Sequence, residues 1–442
     1  MNLTWMLEGT ARKVPGKEAV VSDLATLTYA ELLAASRRAA AVLRDAGVRP
    51  GDRVGVMTYN TPAFVIAAFG IWRAGAALVP INHKLAAPEV GYQVRHAGID
   101  VVLADTDLAY PVRIGAPQAR LLLTDDTGTG EFDRLVAAGQ EWEGVQVGED
   151  DVAEVLYTSG TTGHPKGCLH SHRSMTTVPA LTTAAVGLRR DDRFLVAMPI
   201  WHASPLNNWF LSMVYLGGTT VLLKEYHPVG FLEAVARHRA TAFFGAPIAY
   251  LAPLQVLAAQ GSSPAAYDLS TMRLWAYGGA PLGAQAVRTL QSAYGSTEFY
   301  QVYGMSEMGP VGCALYPSEQ VAKAGAVGAG GMPGVDVRVV RADGQDAAPG
   351  EDGEVWLRAD TRMLGYLDDP AATALAFDGD WYRSGDLARL DEDGYLFIVD
   401  RLKDLIITGG ENVYSAEVEA VLQQHPQVRE AAVVGRPHPQ WG

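Results

Sequence analysis

Cysteine is almost absent. Two occur in 442 residues, Cys168 and Cys313. That is too few for a disulfide framework, and no CxxC or Cys/His spacing offers a structural zinc site; a reducing cytosol suits such a chain. Positive charge is also scarce: 35 Lys and Arg stand against 49 Asp and Glu, a net charge of −14. A nucleic-acid partner demands basic patches and an anionic bilayer attracts basic segments, so both are excluded as expected partners. No apolar run is both long and unbroken. The longest, 63–81, is interrupted by Gly70, Arg73 and Gly75 and reads as a buried helix followed by a strand, not a membrane span. Residues 1–15 lack the basic-then-apolar order of a secretory leader; Leu3, Met6 and Leu7 fit a short amphipathic helix instead. Internal repeats and low-complexity tracts are missing too. What is plentiful is apolar side chain, 48% hydrophobic against 19% charged, which describes a globular protein of two or more domains.

Against that background one stretch stands out. Residues 157–167 read Tyr-Thr-Ser-Gly-Thr-Thr-Gly-His-Pro-Lys-Gly. Thr158, Ser159, Thr161 and Thr162 supply hydroxyls, Gly160, Gly163 and Gly167 permit sharp turns, and Lys166 supplies a point charge. The apolar run 152–157 before it reads as a strand. Successive backbone N–H groups in such a loop make a concavity suited to an anion. The spacing is not that of the common P-loop, because Pro165 precedes the lysine and Gly167 follows it. A polyphosphate-gripping loop after a strand is the reading.

Around it, strands and helices alternate. Thr28 with Glu31 marks a helix start of the capping-box kind, and the helix is expected to run to about Asp45. Pro62 and Pro88 open further helices between apolar strands at 52–57, 77–81 and 101–104. After the loop the alternation resumes, with strands at 194–198, 220–223, 242–244, 274–277 and 299–303. This pattern argues for parallel sheets covered on both faces. From about 321 the composition turns to glycine-rich, alternating segments with Asp-Gly turns, which predicts a β-rich subdomain over 321–400. Beyond a boundary at 400–403, a helix over 415–424 and a strand over 428–434 are expected.

The sequence around residues 157–167 resembles the signature of the adenylate-forming superfamily, which includes acyl-CoA synthetases, luciferases and peptide-synthetase adenylation domains. The resemblance continues in order along nearly the whole chain, through Gly279-Ala280-Pro281, 301–307, 381–386 and 400–404. It implies an α/β fold: a large N-terminal domain over 1–400 made of two α/β layers plus the β-rich subdomain, then a small α+β C-terminal domain, here incomplete, over 401–442. It implies that Thr158, Ser159, Gly160, Thr161, Thr162, Gly163 and Lys166 hold the β- and γ-phosphates of ATP. Tyr303 matches the aromatic that stacks on adenine, with Gly279, Ala280 and Pro281 covering the other face and Gln301 and Gly304 in the same nucleotide-binding motif. Ser306 stands where the family has Thr and keeps a hydroxyl near the α-phosphate. Asp386 and Arg401 match the ribose contacts, and Lys403 falls at the hinge. A carboxylate beside a polyphosphate requires a hard cation between them, so Glu307 is the expected Mg²⁺ ligand. Lys166, Thr162, His202 and Glu307 are the expected catalytic residues.

The activity implied is ATP-dependent activation of a carboxylic acid as its adenylate, followed by transfer to CoA. His202, in Trp201-His202-Ala203-Ser204, stands where amino-acid-activating relatives carry an ammonium-binding Asp, which argues for a simple acid substrate. Trp201, His202, Asn207, Asn208, Trp209, Phe244, Trp275 and Tyr300 are candidates for the acyl pocket, and the aromatics among them suggest an aryl or medium hydrophobic acid. Gly409 and Gly410 suit a tunnel wall for pantetheine. The sequence leaves open which acid is activated, whether a carrier protein or another nucleophile replaces CoA, and whether the protein dimerises. The C-terminal lysine that the family uses in adenylation has no counterpart among these residues.

Overall fold

Neighbouring residues of one strand belong to different cores, and that alternation lays out the molecule. In this computed structural model the described residues are 1–158, 164–408, 411–423, 425, 427, 428, 430–436 and 438. Along Leu274–Gly278, Leu274 and Ala276 join one apolar cluster while Trp275 and Tyr277 join another. Val101 and Leu103 likewise part company with Val102 and Ala104. Side chains alternate across a strand, so a strand apolar on both sides must be covered on both sides.

Two large sheets result. One has eight strands in the order 312–315, 299–304, 274–278, 242–245, 193–196, 219–222, 18–21 and 26–28. The six inner strands are parallel and the two edge strands antiparallel. The other has seven, in the order 365–366, 166–171, 152–158, 77–80, 53–57, 101–105 and 120–124. Here five are parallel, and 166–171 and 365–366 are antiparallel additions at one edge. The helices Leu3–Lys13, Tyr29–Asp45, Pro62–Arg73 and His172–Val186 contribute to the cluster shared by both sheets. Pro228–His238, Ile248–Ala259 and Ala284–Tyr294 cover the outer face of the first sheet, and Ala87–His96 and Ala109–Gly115 that of the second. A third, antiparallel sheet orders 326–328, 396–401, 381–390, 352–358 and 336–340 and packs Val355, Leu357, Tyr382 and Leu396 onto the shared core. The chain is thus a mixed α/β protein.

Local signals explain many boundaries. The capping box is closed from both sides: Glu31 N–H donates to Thr28 Oγ1 at 3.2 Å, and Thr28 N–H donates to Glu31 Oε2 at 2.8 Å. The run 63–81 resolves into Pro62–Arg73 and Ala77–Pro80, both buried. Two features differ from the sequence expectation. Lys166–Ser171 is a strand antiparallel to Val152–Thr158, setting Thr158 opposite Lys166. Of the strand expected over 428–434, the described residues 428 and 430–434 form no regular element, while Ser415–Gln423 is the expected helix.

Candidate active site

Where the parallel strands 193–196, 242–245, 274–278 and 299–304 end, a cavity of about 380 Å³ opens. The crevice beyond the carboxyl ends of parallel strands is the usual ligand position in such sheets. Met198, Phe244, Val302, Met332 and Trp209 give it apolar walls, and Gly278, Gly279, Tyr303, Gly304, Met305 and Ser306 form the end where the sequence expects the nucleotide. Gly279 adopts φ +86 as the strand leaves the sheet, a conformation few side-chain-bearing residues adopt. The adjoining Ala280 and Pro281 are exposed.

Glu307 lies on the short turn Ser306–Met308 and is 9% exposed. Its backbone carbonyl accepts Met363 N–H at 2.7 Å, which anchors the turn to the edge strand Gly365–Tyr366. Tyr366 then donates its hydroxyl to Glu307 Oε1 at 3.0 Å, and the Lys166 ammonium sits 4.9 Å from the centre of the same ring. Tyr366 thereby joins the lysine and the carboxylate. Burial raises the pKa of Glu307 above the ordinary carboxylate value, an effect partly offset by Tyr366 and Tyr382. A nearby cation would restore the charged form.

Asp386 is held just as closely. Glu354 accepts the Gly385 N–H at 3.0 Å and so fixes the turn, at φ +72, that presents the next residue. Asp386 Oδ2 accepts the Tyr303 hydroxyl at 2.7 Å, and Oδ1 stands 3.2 Å from Arg401 Nε on the adjacent strand. The carboxyl is buried, and burial raises its pKa while Tyr303 and Arg401 pull it down. Lys403, two residues beyond Arg401, is exposed and 4.0 Å from Asp404.

His202 faces the cavity from its rim. Although its ring is open to the cleft, desolvation by the surrounding protein, helped by the nearby Lys84 ammonium and the His83 ring, pushes its pKa down to about 4, so the imidazole is neutral near pH 7. Phe244, Asn208 and Trp209 also line the cavity. Four other pocket candidates do not. Trp275 is fully buried in the outer-face cluster, because strand alternation turns it away while Ala276 faces inward. Tyr300 packs beside Tyr316, with ring centres 6.3 Å apart. Trp201 donates from its indole to His83 Nδ1 at 3.0 Å, behind His202. Asn207 turns inward, its Nδ2 donating to Glu154 Oε2 at 2.9 Å. Among the nucleotide candidates, Gln301 is buried on the side away from the cavity, its Oε1 3.3 Å from the Tyr277 hydroxyl, which donates to Gln320 Oε1 at 2.7 Å. Ser159, Gly160, Thr161, Thr162, Gly163, Gly409 and Gly410 lie outside the described residues; Thr158 and Lys166 flank the first group, opposite each other.

The sequence reading missed Tyr366, whose only signal was a Gly-Tyr pair ahead of Pro370, and Glu154. Glu154 is completely buried on Val152–Thr158, and burial raises its pKa to about 8. A carboxyl neutral when folded but charged when unfolded stabilises the fold fully below pH 4.5, and that stability is lost as the pH climbs towards 8. The loss runs at about 1.4 kcal/mol per pH unit across that window. Glu154→Gln should therefore raise Tm relative to the parent by an amount that grows from pH 5 to pH 8. Thermal melts across that range check it; a Tm difference independent of pH contradicts a neutral Glu154.

The match with known families agrees with this geometry. The AMP-binding enzyme family matches residues 7–367, and the AMP-binding enzyme C-terminal domain matches 417–442. The chain belongs to the AMP-binding enzyme family, within the adenylate-forming superfamily. Among curated proteins it is similar to a feruloyl-CoA synthase of Amycolatopsis sp, 40% identical over 98% of this chain and 85% of the relative. It is also similar to a long-chain-fatty-acid–CoA ligase of Mycobacterium tuberculosis, 35% identical over 100% of this chain and 87% of the relative. Among solved structures, ATP-bound MatB from Rhodopseudomonas palustris superposes with a TM-score of 0.89 at 30% identity, covering 100% of this chain and 87% of that one. The chain is an AMP-forming acyl-CoA synthetase: it activates a carboxylic acid with ATP as the acyl-adenylate, releases pyrophosphate, and transfers the acyl group to CoA. No helix among the described residues is long and apolar enough to cross a membrane.

Proposed function

We propose that the acid is compact, uncharged apart from its reacting carboxylate, and aryl-bearing. The carrying observation is the cavity wall: none of the described residues that line it bears a formal charge at neutral pH, and Trp209, Phe244, Met198, Val302 and Met332 supply its apolar surface. The same 380 Å³ also reaches 278–279 and 303–306, the nucleotide end, so only part of it serves the acyl group. A compact aromatic acid fits that remainder better than an extended chain. The similarity to a feruloyl-CoA synthase points the same way.

In this reading the residues divide the work. Tyr303 and the 279–281 segment hold adenine, Asp386 and Arg401 the ribose, and Ser306 the α-phosphate. Lys166, with the hydroxyls of Thr158, Ser159, Thr161 and Thr162, neutralises the departing pyrophosphate. Glu307 is the protein's ligand to Mg²⁺. Among the described residues no group of three or more His, Cys, Asp or Glu could hold an ion by itself. A single buried carboxyl fits Mg²⁺ held largely by phosphate oxygens and water, and does not fit an all-protein cage. Mg²⁺ bound with ATP would supply charge neutralisation on the phosphates. Neutral His202 borders the acyl group without offering a charge to it.

The test is a screen of pyrophosphate release and thioester formation with free CoA. Aryl monocarboxylates should lead. α-Amino acids and dicarboxylates should have kcat/KM at least about 10²-fold lower, because each would bury an unpaired charge costing several kcal/mol. A dicarboxylate or amino acid that outperforms every aryl monocarboxylate contradicts the pocket assignment. Adenylate formation without thioester on free CoA, relieved by an acyl-carrier protein, would move the acceptor to that protein.

A further inference from the structure

Behind the cavity, two ionisable residues face each other inside the core with no contact to solvent. Glu154, on Val152–Thr158, is the register partner of His170, on Lys166–Ser171. Directly opposed residues of an antiparallel pair share a face. Both are 0% exposed. Each reaches forward to a different part of the site. His170 Nε2 lies 2.7 Å from the Ser306 carbonyl oxygen, and Glu154 Oε2 accepts from Asn207 Nδ2 at 2.9 Å.

The chemistry of the partners fixes the roles. A carbonyl can only accept, so His170 carries its proton on Nε2 and donates. The same carbonyl also accepts the Gly309 N–H at 3.1 Å, so both of its lone pairs are engaged and the turn Ser306–Met308 is held from two directions. Asn207 sits in Ser204–Phe210, a π-helical stretch whose Ser204, Pro205, Asn208 and Trp209 line the cavity. Glu154 holds that stretch from behind through the one amide that points inward. Neither contact touches a ligand. Glu154 Oε1, His170 Nδ1 and Asn207 Oδ1 have no hydrogen-bond partner in the protein, so these single contacts are what hold the two side chains to the site, and removing one leaves a further buried polar group unpaired at a cost in free energy.

We propose that His170 and Glu154 are positioning residues with separate duties: His170 sets Ser306 against the nucleotide, and Glu154 sets the acyl-facing wall through Asn207. The proposal rests on the assignment of Ser306 to the nucleotide and of 204–210 to the acid made above. Its signature is a split between two constants that a general loss of stability would move together. With the preferred acid, His170→Leu should lower kcat for pyrophosphate release about 10- to 100-fold, by analogy with the loss seen when the hydrogen-bond partner that orients a metal ligand is removed. AMP affinity, measured by calorimetry without metal, should fall by a similar factor, and the KM for the acid should stay within about twofold. His170→Gln places an amide N–H near the Nε2 position and should recover most of both losses. His170→Asn, too short to reach Ser306, should not. Glu154→Leu should raise the KM for the acid about tenfold and leave AMP affinity within about twofold, whereas Glu154→Gln keeps an acceptor for Asn207 and should behave like the parent. The Gln/Asn and Leu/Gln comparisons retain force if one leucine variant does not fold. Equal activity of His170→Gln and His170→Asn overturns the proposal. So do parallel changes in acid KM and AMP affinity in every variant. Absence of any turnover by the parent enzyme, in contrast, would count against the function reading itself.

Discussion

Glu307→Gln should reduce adenylate formation about 10²- to 10³-fold at saturating ATP and Mg²⁺, the usual loss when one electrostatic contact to developing charge is removed. The substitution is close to isosteric, so the expected damage is chemical. Tyr366 can still donate its hydroxyl to the remaining oxygen, and the Met363 N–H to the backbone carbonyl is untouched. Burial already opposes the charged form of Glu307. A neutral amide there is no harder to bury, and Tm should stay level or rise. Loss of turnover without loss of Tm is the expected pair of results, read by pyrophosphate release and thermal melting. Turnover near that of the parent would remove Glu307 from the charge-bearing part of the site. Lys166 gives the complementary control, because the two residues meet at Tyr366. Tyr366→Phe, which keeps the ring beneath the ammonium and deletes only the hydroxyl, should fall well short of the effect of Glu307→Gln.

The motifs rich in glycine, hydroxyl and charge were legible because their chemistry has few purely structural uses. The family membership, the α/β class and the activity were read from them and agree with the family match. The Thr28/Glu31 helix start was legible for a similar reason, being a local hydrogen-bonding device. What escaped was set by topology. Glu154, in the apolar run 152–157, carries no local sign of where its carboxyl goes. It is buried because the strand lies between 77–80 and 166–171 in a sheet covered on both faces. Trp275 looked like pocket aromatic content until strand alternation placed it with Phe231, Tyr250 and Tyr294. Adjacent Asn207 and Asn208 could not be told apart by type. The turn of the π-helical stretch sends one amide to Glu154 and the other to Thr182 and the Pro310 carbonyl. Tyr366 reaches Glu307 only because an edge strand 59 residues further on pairs with Lys166–Ser171. Sequence spacing carries no trace of such contacts.

The third sheet brings the nucleotide end into the same account, and it carries the second large effect. Asp386→Ala should weaken AMP binding about 10²-fold or more. Two hydrogen bonds to an ionised acceptor are worth about 1.5–3 kcal/mol each, and the ribose hydroxyls are both donors. The carboxylate is also the shared acceptor for Tyr303 and Arg401, so its removal frees the Tyr303 ring, proposed above to face adenine, and the exposed arginine together. Tyr303→Phe separates the contributions. It deletes the 2.7 Å hydrogen bond to Asp386 but keeps both the ring and the carboxylate. It should cost only about 0.5–1.5 kcal/mol more than any gain from freeing Asp386 for the ribose, roughly a tenfold change at most. Isothermal calorimetry with AMP, and with adenine alone as the ribose-free comparison, reads both variants. Asp386→Ala should lose AMP affinity steeply and adenine affinity slightly. A matching loss for adenine would mean that Asp386 acts only by bracing Tyr303, and the ribose contact would then belong to another residue.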